Sequence, residues 1–116
     1  FQGWGWEDVE WAMRVGRRWP IRHIDNTATH LGLDSAQTLS RKYEQSAANF
    51  ARVMAAHPDI VARYPSFRAA RLLRRAPMRA VWRPLVRLLM TSGAAPLPVR
   101  ALAARTYRAA LYSEVV

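Results

Sequence analysis

Seven prolines divide the chain and limit the length of any regular element that it can form. They stand at positions 20, 58, 65, 77, 84, 96 and 98. Proline lacks a backbone N–H and clashes with the preceding helical turn, so helices begin beside it or end before it. Apolar residues recur at steps of three and four between these prolines. The pattern predicts one long helix over 35–57 and shorter helices over 7–18, 58–63, 66–75, 78–92 and 98–112.

One segment departs from this helical pattern. Residues 21–30, IRHIDNTATH, contain β-branched residues in a loose alternation, which predicts a short strand or extended segment. A single strand cannot form a sheet. The predicted fold class is therefore mainly α, with helices plus one short strand. Two arrangements remain open: a helical bundle with an extended connector, or a strand that pairs with a sheet upstream of this chain.

Several residues predict where helices start or bend. Asp34 and Gln37 form a capping-box pattern, because the Asp34 carboxylate can accept a first-turn N–H while Gln37 reaches back. Ser66 is predicted to cap the helix over 66–75, Pro98 suits the first turn of the last helix, and Pro84 is expected to kink or split the helix over 78–92. The buried stripe of the long helix is predicted to consist of Leu39, Tyr43, Ala47, Phe50 and Met54.

The charge of the chain is unevenly distributed. Seventeen arginines and one lysine against eight acids give a net charge of +10, and no acidic residue occurs between Asp59 and Glu114. Such a basic half faces either water or an anionic partner: lipid headgroups, phosphorylated substrates or nucleic acid. The absence of cysteine excludes a disulfide framework and any cysteine-based metal site.

The hydropathy pattern predicts no membrane span. No apolar run approaches the roughly 20 residues that a bilayer requires, and no signal-peptide order of charged, apolar and small residues is present. We therefore expect a soluble or peripheral protein, located in the cytoplasm or on the inner face of the cell membrane.

The stretch GWGWEDVEW, residues 3–11, contains the side chains of this sequence that are best suited to ligand binding and catalysis. Trp4 and Trp6 provide flat surfaces on which the C–H groups of a sugar can stack, and Gly5 permits backbone conformations that other residues resist. Glu7 and Asp8 fall in the first turn of the predicted helix, where the dipole favours the ionised carboxylate. On spacing alone, first-turn acids and buried tryptophans explain the same pattern, so both interpretations stay open here.

The tract FQGWGWEDVEWAMRV resembles the corresponding region of family 2 glycosyltransferases and of the related galactosyltransferase C-terminal region. Their pattern is an aromatic residue, W-G-x-E-D, a further acid and a helix that ends in a basic, Gly-containing turn. The resemblance implies the C-terminal portion of an inverting, α/β GT-A enzyme that moves a sugar from a nucleotide donor to a saccharide or lipid-linked acceptor. It assigns Asp8 as the general base, Glu7 as an acceptor contact, and Trp4 or Trp6, beside Gly5, as the stacking floor.

The same resemblance implies a divalent metal, Mn²⁺ or Mg²⁺, bridging the nucleotide diphosphate. His30, in NTATHLG, occupies the position at which relatives carry a metal-binding histidine. The Asp-x-Asp motif that would complete the site occurs nowhere in the 116 residues. We therefore expect residues 1–33 to form the end of a catalytic domain whose nucleotide-binding part lies upstream, and residues 34–116 to form a basic helical extension. The fragment alone is expected to be inactive.

The basic helical extension suggests an alternative from another functional class. Arg79, Arg83 and Arg87 recur every four residues beside Trp82 and several apolar residues, as in a helix that rests on a membrane surface. The alternative function is a binding module for an anionic membrane surface or nucleic acid, without catalysis. Nucleic acid is the less favoured partner, because no helix-turn-helix, zinc-finger or RNA-recognition pattern is present. An ordinary solvated helix face explains the arginines equally.

Overall fold

A computed structural model describes residues 1–29 and 32–116, and this part of the chain is mainly helical. The described helices are α1 (Glu7–Gly16), α2 (Ala36–Ala56), α3 (Pro58–Val61), α4 (Pro65–Arg74), α5 (Arg79–Thr91) and α6 (Leu97–Tyr112). The prolines and the apolar periodicity thus predicted each helix to within about two residues at either end.

The predicted short strand is wrong for the part of segment 21–30 that the structure describes. Residues 21–29 are exposed and form neither helix nor strand. A strand persists only where a neighbour satisfies its backbone N–H and C=O groups, and no second strand lies in the described ranges. The α/β part of the fold prediction therefore remains untested, and the helical part is confirmed.

Three local predictions also require correction. Ser35, not Asp34, caps α2: its hydroxyl accepts the Thr38 N–H at 3.1 Å, whereas Asp34 binds Lys42 at 2.7 Å. At the start of α4, Pro65 occupies the first turn and no side chain caps the helix, so Ser66 does not act as a cap. Pro84 was expected to kink or split α5; the helix continues through it, so the split is wrong and the kink stays a prediction.

The core forms where α6 packs against α2, α4 and α5. Phe50 of α2 is fully buried, and its ring stacks on Tyr112 of α6 with 4.3 Å between centroids. Met13 is the buried residue of α1, and it joins the same cluster. The predicted stripe on α2 is confirmed in part: Phe50 is buried, whereas its other four members pack against this cluster and are only partly buried. Within residues 1–29 and 32–116, no helix has both the length and the apolar character needed to cross a bilayer.

Candidate functional site

The loop before α1, residues 1–6, has a backbone conformation that depends on Gly3 and Gly5. Gly3, Gly5 and Trp6 all have positive φ, at 72°, 96° and 78°. A Cβ at Gly5 would lie 3.2 Å from the Cβ of Ser46, so the loop rests directly on α2. The close approach and the left-handed backbone both require glycine at position 5. Gly3 similarly faces Gln45, at 3.3 Å.

Asn49 of α2 holds this loop in place through two hydrogen bonds. Its side chain is fully buried; Nδ2 donates to the Gly5 carbonyl at 3.0 Å, and Oδ1 accepts the Gln2 N–H at 3.2 Å. A buried amide with partners on both its nitrogen and its oxygen specifies one arrangement, because any other leaves polar groups unpaired. The helix α2 thereby determines where the loop lies.

Trp6 anchors the loop in the core. Its Nε1 donates to the Tyr112 hydroxyl at 2.8 Å, and its ring lies 5.0 Å from Phe50 and 6.4 Å from Tyr64, measured between centroids. The Tyr112 hydroxyl also lies 3.0 Å from the Ser46 hydroxyl. Most of the Trp6 ring is therefore engaged in packing, and its left-handed backbone is held by these contacts.

Trp4, by contrast, presents its ring to solvent. Its side chain is 40% exposed, and Lys42 Nζ stands 5.3 Å from the ring centroid. A cation over an indole face is attracted by the ring quadrupole, but an exposed contact of this kind is worth only ~0.5–1 kcal/mol. Of the two tryptophans proposed as a stacking floor, Trp4 is the one whose ring a ligand can reach.

The three carboxylates of the motif have different surroundings. Glu7 and Asp8 are exposed in the first turn of α1 and form no ion pair within the described ranges. Glu10 is held by His57, whose Nε2 lies 3.1 Å from its Oε1, and by Arg14 at 3.3 Å. The hydrogen bond with His57, followed by Arg14, lowers the pKa of Glu10 against the opposing effect of burial. Glu10 is therefore a structural acid, and the other two are available to a ligand.

A pocket of about 290 Å³, which we call the loop pocket, opens beside these residues. It is lined by Trp4, Gly5, Trp6, Glu7, Asp8, Val9, Tyr43, Arg108 and Tyr112. All five residues that the sequence singled out for the catalytic base and acceptor site thus line one pocket. Two exposed carboxylates, one guanidinium and several aromatic rings give it both hydrogen-bonding groups and flat apolar surfaces.

Asp8 also borders a second, larger cleft. This cleft, of about 490 Å³, shares Asp8 and Val9 with the loop pocket, but most of its remaining lining is apolar, including Met13, Ile21 and Ile60. The Asp8 carboxylate can therefore be approached from two sides. The loop pocket is the better ligand site, because polar groups converge in it on an aromatic surface.

The predicted metal ligand His30 lies outside the described residues. Among the residues that are described, no group of three or more histidine, aspartate or glutamate side chains is positioned to hold a metal ion. The metal therefore stays a prediction.

Sequence reasoning missed the residues that α2 and α6 contribute to the site. Tyr43 was predicted only as part of a buried stripe, and Arg108 only as part of the basic half. Arg108 lies over the Tyr43 ring, with Cζ 5.6 Å from its centroid. The one signal for Ser46 and Asn49 is that two polar residues fall on the buried side of α2, beside Phe50, where a polar side chain requires a partner.

Comparison with known proteins adds no relative: no family model, curated protein or solved structure matches the chain. The sequence motif and the geometry of the loop pocket are therefore the evidence for a function of this chain.

Proposed function

We propose that this chain is the C-terminal portion of an inverting, nucleotide-sugar-dependent glycosyltransferase of the GT-A type. It supplies the acceptor site and the catalytic base for transfer to a saccharide or lipid-linked acceptor. The observation that carries the proposal is the composition of the loop pocket: the W-G-W-E-D residues line it together with Tyr43, Arg108 and Tyr112 from distant parts of the chain.

The loop pocket suits a sugar ring. Its volume of about 290 Å³ is at the lower end of the range for small-molecule sites, ~300–1,000 Å³, which favours a single ring over a longer chain. Trp4 offers a flat apolar face for the sugar C–H groups. Glu7 can accept hydrogen bonds from sugar hydroxyls and Arg108 can donate to ring or hydroxyl oxygens, so the loop pocket offers a sugar both acceptors and donors.

Asp8 is the proposed general base. It is exposed in the first turn of α1 and forms no ion pair in the described structure that a substrate would have to displace. Asp8 takes the proton of the acceptor hydroxyl as that oxygen attacks the anomeric carbon. The bond to the nucleoside diphosphate breaks in the same displacement, which inverts the configuration at that carbon.

The divalent metal is proposed from the motif alone. His30 and an Asp-x-Asp motif elsewhere in a longer protein would hold it, and bound there it would stabilise the charge of the departing diphosphate. No step assigned to this chain's own residues depends on it.

A kinetic comparison of two tryptophan variants tests the proposal. The protein carrying this chain is incubated with a panel of nucleotide-sugars, saccharide acceptors and Mn²⁺, and release of nucleoside diphosphate is measured. We expect Trp4→Ala to raise the acceptor KM about tenfold and to leave the donor KM unchanged, because one stacking surface is lost. Trp11→Ala, which removes a tryptophan that is 57% exposed on α1 and lines neither cleft, is the matched control. Equal effects of the two variants would contradict the acceptor site.

A cytoplasmic location remains part of the proposal.

The alternative function, a binding module without catalysis, is favoured by one specific observation, the exposed apolar face of α5. This alternative predicts that no nucleotide-sugar in the panel releases nucleoside diphosphate when the protein and the acceptors are added.

A further inference from the structure

One face of α5 exposes a continuous row of large apolar side chains. Its members are Met78, at the cap of the helix and 70% exposed, Val81 at 53%, Leu85 at 60%, Leu88 at 66% and Leu89 at 41%. At 100° per residue these five fall within about 120° of one another around the helix axis. We call this row the α5 stripe.

The arginines of α5 point the other way, towards the chain's own polar groups. Arg83 forms an ion pair with Glu114, Arg87 lies 3.5 Å from Glu44, and Arg79 donates to the Ser113 hydroxyl at 3.2 Å. The side of α5 that faces the domain carries the buried Met90 and the part-buried Val86, which pack on the core next to these arginines. The α5 stripe is therefore a second apolar face, and it lies in solvent, where a surface helix usually carries polar residues.

The size of the α5 stripe indicates a binding surface. Five large side chains in succession form an apolar patch on the order of several hundred Å², and continuous patches of that size on a monomer mark interaction sites. Single exposed leucines would carry no such meaning.

Basic residues that precede the stripe in the sequence favour an anionic partner. Arg74 and Arg75, exposed at the end of α4 just before Met78, have no carboxylate partner within the described ranges. No acidic residue occurs between Asp59 and Glu114. An anionic lipid leaflet accepts apolar side chains and attracts arginines at the same time, each basic residue near its surface contributing ~1 kcal/mol.

A second copy of the chain fits this surface poorly. A stable dimer buries ~800 Å² on each partner, more than the α5 stripe supplies. The copies would also bring two net charges of +10 together.

We propose that the α5 stripe docks on an anionic membrane surface, with its apolar side chains among the acyl chains and with Arg74 and Arg75 at the headgroups. The inference depends on exposure and charge and is independent of sugar transfer.

Sedimentation of the full protein with lipid vesicles tests this proposal. We expect binding to phosphatidylcholine vesicles that contain phosphatidylglycerol, and little binding to phosphatidylcholine alone. The double variant Leu85→Gln with Leu88→Gln should weaken binding at least tenfold, because two side chains no longer enter the apolar layer. Both leucines are exposed, so the fold should tolerate the change, and far-UV circular dichroism checks this. Arg74→Gln with Arg75→Gln should reduce the preference for anionic vesicles.

The control is a double variant with the same chemistry elsewhere. Ile24→Gln with Leu33→Gln replaces two side chains that are 78% and 91% exposed outside the helices, and we expect unchanged vesicle binding. Equal binding to neutral and anionic vesicles, or equal losses in the two double variants, would overturn the proposal. So would sedimentation velocity showing a dimer that the Leu85 and Leu88 substitutions convert to a monomer, since the occupant would then be a second copy.

Discussion

Replacing Asn49 by alanine tests whether α2 fixes the loop that carries the W-G-W-E-D motif. The substitution removes two hydrogen bonds, one to the Gly5 carbonyl and one from the Gln2 N–H. The part-buried Gly5 carbonyl is left without its partner at a cost of ~1–3 kcal/mol, whereas the exposed Gln2 N–H recovers water and loses less. We expect the free energy of unfolding to fall by about 2–3 kcal/mol in total.

Thermal unfolding followed by far-UV circular dichroism measures this loss. For a domain of this size each kcal/mol lowers Tm by roughly 4 °C, so Asn49→Ala should unfold about 10 °C below the wild type. Arg52→Ala, on the exposed side of the same helix, should change the free energy of unfolding by less than about 0.5 kcal/mol. If Asn49→Ala shifts Tm no more than Arg52→Ala does, the buried amide does not fix the loop and the reasoning is refuted. Intrinsic tryptophan fluorescence should also change in Asn49→Ala alone, because Trp4 loses its fixed position.

Three further predictions concern the core and the loop. Phe50→Ala should destabilise the chain by about 3–5 kcal/mol, because a fully buried ring stacked on Tyr112 is lost; a loss below about 1 kcal/mol in chemical denaturation would contradict the packing. Gly5→Ala should cost about 1–3 kcal/mol, since φ is 96° and the new Cβ would press on Ser46; a variant as stable as wild type would show that the loop has another conformation. Burial, then the hydrogen bond to Glu44, raises the pKa of Tyr107 from 10.0 to about 12. Since the folded state holds this proton more tightly than the unfolded state, the associated stability is complete below pH 10 and is lost as the pH rises towards 12. A difference absorbance titration against Tyr107→Phe measures the midpoint, and a value of 10 would rule out the buried environment.

The helices were predictable because their limits are set locally. Pro58, Pro65 and Pro98 fall in the first turns of α3, α4 and α6, and proline has the same effect in any tertiary context. The buried stripe on α2 was predictable because its period matches the helix. The cap of α2 was missed by one residue, since Asp34 and Ser35 are both good caps and Lys42 engages Asp34.

Tertiary contacts determine two features that the sequence pattern does not predict: which tryptophan of the motif is accessible, and which face of α5 is exposed. Trp4 and Trp6 look equivalent in the motif, yet Trp6 is half-buried, because it packs on Phe50 and the Tyr112 hydroxyl, far along the chain, accepts its N–H. The orientation of α5 is likewise a tertiary effect, because Val86 and Met90 pack on the core. Arg83 and Arg87 add exposed ion pairs to Glu114 and Glu44, which lie outside that helix. A helical wheel shows two faces, but it does not show which one the rest of the chain covers.

The proposed role of Asp8 is tested most directly by measuring sugar transfer in the protein that carries this chain. Asp8→Asn preserves the size of the side chain and removes the base. We expect turnover to fall by at least a hundredfold, within the ~10²–10⁴ range of general-base catalysis, while calorimetry shows unchanged binding of the nucleotide-sugar donor. Asp25→Asn makes the same chemical change on the exposed segment and should keep wild-type turnover. Near-normal turnover in Asp8→Asn would contradict the assignment of the base and, with it, the proposed function of the loop pocket.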